Sequence, residues 1–272
     1  MASFWLYQSA FALQLAAMAL FGAYVVVPRR SLTRVGLAAL TAALLFQVAF
    51  FVGSWARKGQ LPLADNFESL AFMALCMTLA FLAVEWRYHL GILGTFILPI
   101  PVLFLFMGYR FRQLEHPPSL ALQNSFLAGH VAFSMLAYAF FTIASGVSVA
   151  FLVQERQLKN KQPGRVAFEL PSLEELERIS FLCVLAGFAL LTLGSLAGML
   201  WSIQIFGHPL IGDAKVLLGA ALWLLYGLYL AWHLSGRFRG RPSAILLLVC
   251  FFVLFFGYYL ANVYGGGHRF LH

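Results

Sequence analysis

Phe126-LAGHVAFSMLAYAFFTIASGVSVAFL-Val153 runs for 28 residues without one Asp, Glu, Lys or Arg. As an α-helix it is about 42 Å long, against a hydrocarbon core of ~30 Å. The stretch therefore reads as a membrane span, with roughly eight residues left to project or to be absorbed by tilt. His130 stands near its start, so it can sit at the membrane surface without entering lipid.

Seven more runs of this kind flank it: Phe4–Val27, Val35–Val52, Phe67–Val84, Leu90–Met107, Phe181–Trp201, Val216–Trp232 and Ala244–Val263. Each is near-continuous and close to 20 residues long, the length of a spanning helix rather than a barrel strand. The eight runs nearly exhaust the apolar content, which is 62% of 272 residues against 10% charged. A soluble domain carries about 45–50% apolar and about 25% charged residues. A water-soluble enzyme is thereby excluded. The expectation is an all-α polytopic membrane protein with eight transmembrane helices, forming one transmembrane domain over residues 1–272.

The excess of basic residues, 18 Lys and Arg against 10 Asp and Glu, sits in short connections rather than beside any nucleic-acid motif, so no nucleic-acid partner is expected. On one side lie Arg29, Arg30, Arg34, Arg87, Arg156, Lys159, Lys161, Arg165, Arg178, Arg237, Arg239 and Arg241; on the other lie Arg57, Lys58, Arg110, Arg112, Lys215 and Arg269. The richer side belongs in the cytoplasm, which places both termini outside and makes 154–180 a cytoplasmic loop. The first run is followed, not preceded, by arginines, the reverse of a secretory signal. It reads as an uncleaved span.

Within the 154–180 loop, Ser172-Leu-Glu-Glu175 after Pro171 forms a capping box. Leu173, Leu176 and Ile179 continue it at helical spacing, so the sixth helix is expected to begin before the membrane. Asp65-Asn-Phe-Glu68 is a second capping box, opening the third span. Pro99 and Pro101 mark the one place where a span is expected to break. Cys76, Cys183 and Cys250 each stand alone in apolar surroundings, with no C-x-x-C and no C-x-x-C-H, and read as packing residues.

Chemistry is sparse. No G-x-S-x-G, H-E-x-x-H or phosphate loop occurs, and no span carries paired carboxylates, so no motif names an enzyme. Of seven histidines, His116, His130, His208, His268 and His272 fall on the outer side, and His89 and His233 at the cytoplasmic edge. Neutral imidazole is a ligand for haem iron and transition metals. The connection from Ala197 to Lys215 carries Asp213 and Lys215 beside the first turn of the seventh span. There they can cap and anchor that helix, or close a polar floor under an external ligand.

Several segments resemble, in order, the cytochrome c assembly family of haem-handling membrane proteins, the CcsA- and HemX-like group. These are Gly59-Gln-Leu-Pro62 through Glu68-Ser69-Leu, Gly129-His130-Val131 with Tyr138, Leu170 through Ile179, and Gly187, Thr192-Leu-Gly194, Ala197-Gly198 and Trp201. Trp223 through Tyr226 with Tyr229, Gly257 through Asn262, and Gly267-His268 follow. The tryptophan-rich W-G-S-Y-W-S-W-D-P-K signature of the synthases is replaced by Phe206-Gly-His-Pro-Leu-Ile-Gly-Asp213-Ala-Lys215, which keeps Gly207, Asp213 and Lys215. The compact, eight-spanning HemX-like branch is the better fit.

The resemblance implies a haem-binding protein of the plasma (inner) membrane that acts in cytochrome c assembly or haem handling. His130 and His268 would ligate one haem b at the outer face, which requires the fifth and eighth spans to be neighbours there. Arg57, Arg110, Arg112, Lys215 and Arg269 would pair with its propionates, Asp213 with Lys215 would close the polar floor beneath it, and Trp201, Phe206 and Trp55 would cover the ring. The implied partners are haem, membrane lipid, and other cytochrome c assembly or haem-biosynthesis proteins. Two alternatives remain: a transporter or permease subunit for haem or a small solute, with His233 as an inner station, and a membrane regulator of a haem-biosynthesis enzyme docking through the 154–180 loop.

Overall fold

In the computed structural model, residues 2–59, 62–63, 66–88, 91–111, 124–161, 170–209, 214–236 and 238–263 are described. Among them the chain is helical, with no strand. The helices are α1 (Ala2–Val26), α2 (Arg30–Lys58), α3 (Asn66–Tyr88), α4 (Gly94–Ile97, entered by a 3₁₀ turn at Gly91–Leu93), α5 (Pro99–Phe111), α6 (Ser125–Lys159), α7 (Leu173–Phe206), α8 (Ala214–Leu234) and α9 (Arg241–Val263). Seven are long and apolar enough to cross a membrane, or eight spans if the bent pair Gly91–Ile97 and Pro99–Arg110 counts as one.

Most helices run past the apolar stretches that announce them, because a helix continues into polar residues until a cap or a breaker stops it. α6 has 35 residues and α7 has 34, each about 50 Å long. α7 begins at Leu173, directly after Ser172 and well ahead of its apolar core. α2 ends where Gly59 takes a left-handed conformation (φ 66°) and returns its N–H to the Trp55 carbonyl at 2.9 Å. The fourth span is not one helix. Pro99 and Pro101 have no N–H to offer the carbonyls of Thr95 and Ile97, and the helix axis turns by 41° there.

The chain divides into two compact units, residues 1–118 with 153–172, and residues 119–152 with 173–272. In the first, α1, α2 and α3 share a buried polar ladder. Gln47 Nε2 donates to Gln14 Oε1 at 2.8 Å, Gln14 Nε2 donates to Thr78 Oγ1 at 3.1 Å, and Thr78 Oγ1 donates back to the Ala74 carbonyl. Phe21 fills a socket floored by Gly36 and Gly94; a Cβ on Gly94 would stand 2.8 Å from its ring. Thr95 Oγ1 donates to the Phe21 carbonyl at 2.9 Å, tying the bent span to α1. Near the start of α1, Tyr7 gathers Phe50 and Phe67 around its ring and donates its hydroxyl proton to the Leu105 carbonyl. The capping-box residue Asp65 lies outside the described residues. Glu68, buried at the start of α3, is ion-paired with Lys58.

In the second unit α6 and α7 run antiparallel and touch backbone to side chain, because three glycines on α7 leave room. A Cβ on Gly187 would meet the Phe141 ring at 2.6 Å, one on Gly194 would meet Ser134 Oγ at 2.6 Å, and one on Gly198 would meet His130 Nδ1 at 2.5 Å. Such close approach by small residues is how membrane helices gain packing energy where no hydrophobic drive separates protein from lipid. Tyr226 of α8 stacks on Phe141 with centroids 3.6 Å apart, and Trp223 Nε1 donates to Thr192 Oγ1 at 3.0 Å. Ser243 of α9 donates to the Tyr229 hydroxyl. Cys76 in the first unit and Cys183 and Cys250 in the second are all buried free thiols.

Candidate functional site

The site is assembled at the Asn124 end of the second unit. Asn124 caps α6: its Oδ1 accepts from Phe126 N at 2.8 Å and from Leu127 N at 3.4 Å. Its Nδ2 donates to Gln204 Oε1 on α7 at 3.3 Å, so one side chain starts α6 and ties it to the last turns of α7. α7 stops at Gly207, whose φ of 74° is open to glycine at little cost, and whose N–H returns to the Ile203 carbonyl at 2.9 Å. Ser202 Oγ then donates to the His208 carbonyl at 2.9 Å and holds the departing chain.

Between these ends lies His130, half-buried, with Nδ1 at 2.7 Å from the Gly194 carbonyl. A carbonyl can only accept, so Nδ1 carries the proton and donates, and the lone pair of the neutral ring is on Nε2. The ring reaches that carbonyl because it lies flat on the bare Gly198 turn. This is the hydrogen-bond pattern that orients a metal-ligating imidazole: backbone on one nitrogen, an electron pair on the other. Trp201 follows Gly198 by three residues. Its ring meets Phe206 edge to face, centroids 5.8 Å apart, and its Nε1 is buried with no hydrogen-bond partner among the described residues.

No group of three or more His, Cys, Asp or Glu is gathered among the described residues. The described residues thus form no cage for a bare metal ion. A metal already held in a macrocycle needs only axial ligands from the protein, and one well-oriented imidazole on an uncharged helix pair fits that requirement. From Ser125 to Gln154 of α6 and from Ile179 to Phe206 of α7 there is no Asp, Glu, Lys or Arg.

Of the residues singled out from sequence, His130 of α6 docks on α7, and Trp201 stands on α7 three residues beyond Gly198 with its ring against Phe206. Lys215 lies in the first turn of α8. His268, Arg269, Asp213 and Arg112 lie outside the described residues. Trp55, Arg57 and Arg110 belong to the first unit, where Arg57 Nη2 donates to Ser54 Oγ at 3.4 Å. At the other end of the second unit, His233 stacks on Phe181 (4.6 Å) and has Nδ1 3.8 Å from Glu177 Oε1, which accepts from Gly240 N at 3.0 Å. Sequence reading missed the part played by Gly194 and Gly198 in holding His130. The signal was present in Gly194-Ser-Leu-Ala-Gly198, a G-x-x-x-G spacing that marks close helix approach.

Residues 63–268 match the family model described as Cytochrome C assembly protein. The chain is 30% identical over 236 residues to a cytochrome c biogenesis protein CcsA of Prochlorococcus marinus (strain MIT 9301), a match covering 78% of this chain and 76% of that one. It is 30% identical over 248 residues to the protein of that name from Synechococcus sp. (strain CC9902), covering 82% of each. To its namesake in Chlamydomonas reinhardtii it is 29% identical over 230 residues, covering 82% of this chain and 64% of the relative. The matched region takes in α3 to α9, hence every residue of the His130 site, and leaves out α1 and α2.

Proposed function

The chain belongs to the cytochrome c assembly family, and from that membership we propose that this multi-pass membrane protein holds one haem b through His130, at the outer face of the plasma membrane. The observation that carries the reading is the 2.7 Å bond from His130 Nδ1 to the Gly194 carbonyl. It fixes the tautomer whose Nε2 can bind iron and holds the ring before any ligand arrives, so little orientational freedom is lost on binding. His268 would supply a second imidazole nitrogen to the same haem. Trp201 and Phe206 would cover the ring, Lys215 and Arg269 would pair with its propionates, and Asp213 with Lys215 would close a polar floor beneath it. The haem supplies the electronic and redox chemistry when bound; the protein binds it, orients it and keeps it at the surface for other assembly proteins. The lack of the synthases' tryptophan-rich signature favours the HemX-like branch and a holding role over ligation chemistry.

The test is the visible spectrum of the protein purified with haem supplied. Six-coordinate, low-spin haem is expected, with His130→Ala and His268→Ala each lowering the coordination number. A spectrum without that signal, or one that survives loss of both histidines, sinks the assignment.

A second reading, movement of haem or a small solute across the bilayer, draws on the 41° bend at Pro99. Interrupted spans line the pathways of many transporters. Haem flux into proteoliposomes separates the two readings, since binding without flux leaves only the holding role.

A further inference from the structure

Trp201 presents a polar atom that the packing of this unit does not use. Its Nε1 is buried and has no hydrogen-bond partner among the described residues, a state that costs about as much as losing a hydrogen bond. Elsewhere in the same unit the fold does satisfy an indole: Trp223 Nε1 of α8 donates to Thr192 Oγ1 of α7 at 3.0 Å. The unsatisfied donor is therefore particular to Trp201.

Its position says what it faces. Gly194, Gly198 and Trp201 are spaced four and three residues apart, so they share one face of α7. Long side chains on a helix lean toward its N-terminus and cover the turn before their own Cα. For Trp201 that is the turn at Gly198, which carries no side chain and on which the His130 ring already lies. An unsatisfied donor thus stands on the α7 face against which His130 docks, one turn from Gly198. A ligand matching both donor and imidazole has a Lewis-acidic metal and an oxygen acceptor on a single flat frame. Because α6 and α7 are uncharged along this length, a carboxylate entering between them finds a neutral donor, not a cation.

We infer that the Trp201 indole N–H donates a hydrogen bond to one carboxylate arm of the ligand held at His130, so that the site reads the acid as well as the metal. The inference rests on the haem reading above and adds to it a group that discriminates among metal macrocycles. The edge-to-face contact with Phe206 (5.8 Å) holds the indole plane.

The experiment is a two-by-two binding cycle on the full-length protein in detergent, using haem b and its dimethyl ester as probes and Soret absorbance as readout. Trp201→Phe keeps the ring and removes only the donor. The unaltered protein is expected to prefer haem over the ester, and Trp201→Phe to cut that preference by about tenfold, the strength of a hydrogen bond to a charged acceptor. The haem-to-ester ratio is the readout, because any loss shared by the two probes reports only the cover that the ring gives the ligand. A packing role alone would weaken both probes equally, and that result, or a preference untouched by the substitution, overturns the inference while leaving the haem reading standing. Failure of the unaltered protein to bind either probe overturns both.

Discussion

Gly198 matters through the side chain it lacks. A methyl group there would stand 2.5 Å from His130 Nδ1, closer than van der Waals contact permits, and the imidazole would have to rotate away from the Gly194 carbonyl. Gly198→Ala is therefore expected to convert six-coordinate haem into a five-coordinate, high-spin form, or to lose it, with the helix content of the protein unchanged. Gly53→Ala is the matched control: nothing lies within 4 Å of the added carbon, and alanine in a helix is more stable than glycine by up to about 1 kcal/mol. Visible spectra and thermal unfolding of the two variants check this. Equal spectra for both would show that ring placement does not depend on the bare turn.

At the scale of elements, the first three helices are joined by side-chain amides at a depth where water does not compete. Gln14 is the middle rung, bonded to both Gln47 and Thr78. Gln14→Leu strips both bonds and leaves the Gln47 amide buried without its partner. The first unit should lose about 1–3 kcal/mol in detergent unfolding experiments. Adding Gln47→Leu should restore part of that loss, because replacing both partners by apolar groups removes the unpaired one. A double variant less stable than the single would contradict this account. The ladder also marks what sequence can and cannot disclose. Spans such as Phe126–Val153 were legible because lipid admits only long apolar helices, and the break at Pro99 because proline lacks a donor. His130 was legible as a candidate from its residue type and family resemblance. The glycine contacts that hold it were not, since Gly194 lies 64 residues away and no local pattern states which helix faces which. His268 was legible in the same way as His130, from residue type and resemblance.

For the whole molecule, the distribution of basic residues predicts how the chain is oriented in the bilayer. With Cys76, Cys183 and Cys250 replaced by alanine, a membrane-impermeant maleimide should label Gln60→Cys and Gly265→Cys in intact cells and spare Gln162→Cys until the cells are opened. Labelling at position 162 in sealed cells would invert the topology and move the His130 site to the other side. The three native thiols have a further consequence. Cys76 and Cys183 are 4% exposed and Cys250 is fully enclosed, so none is open to in-line attack by an external thiolate. By enclosing all three, this chain keeps its own sulfur out of mixed-disulfide exchange and out of reach of oxidants in the surrounding water.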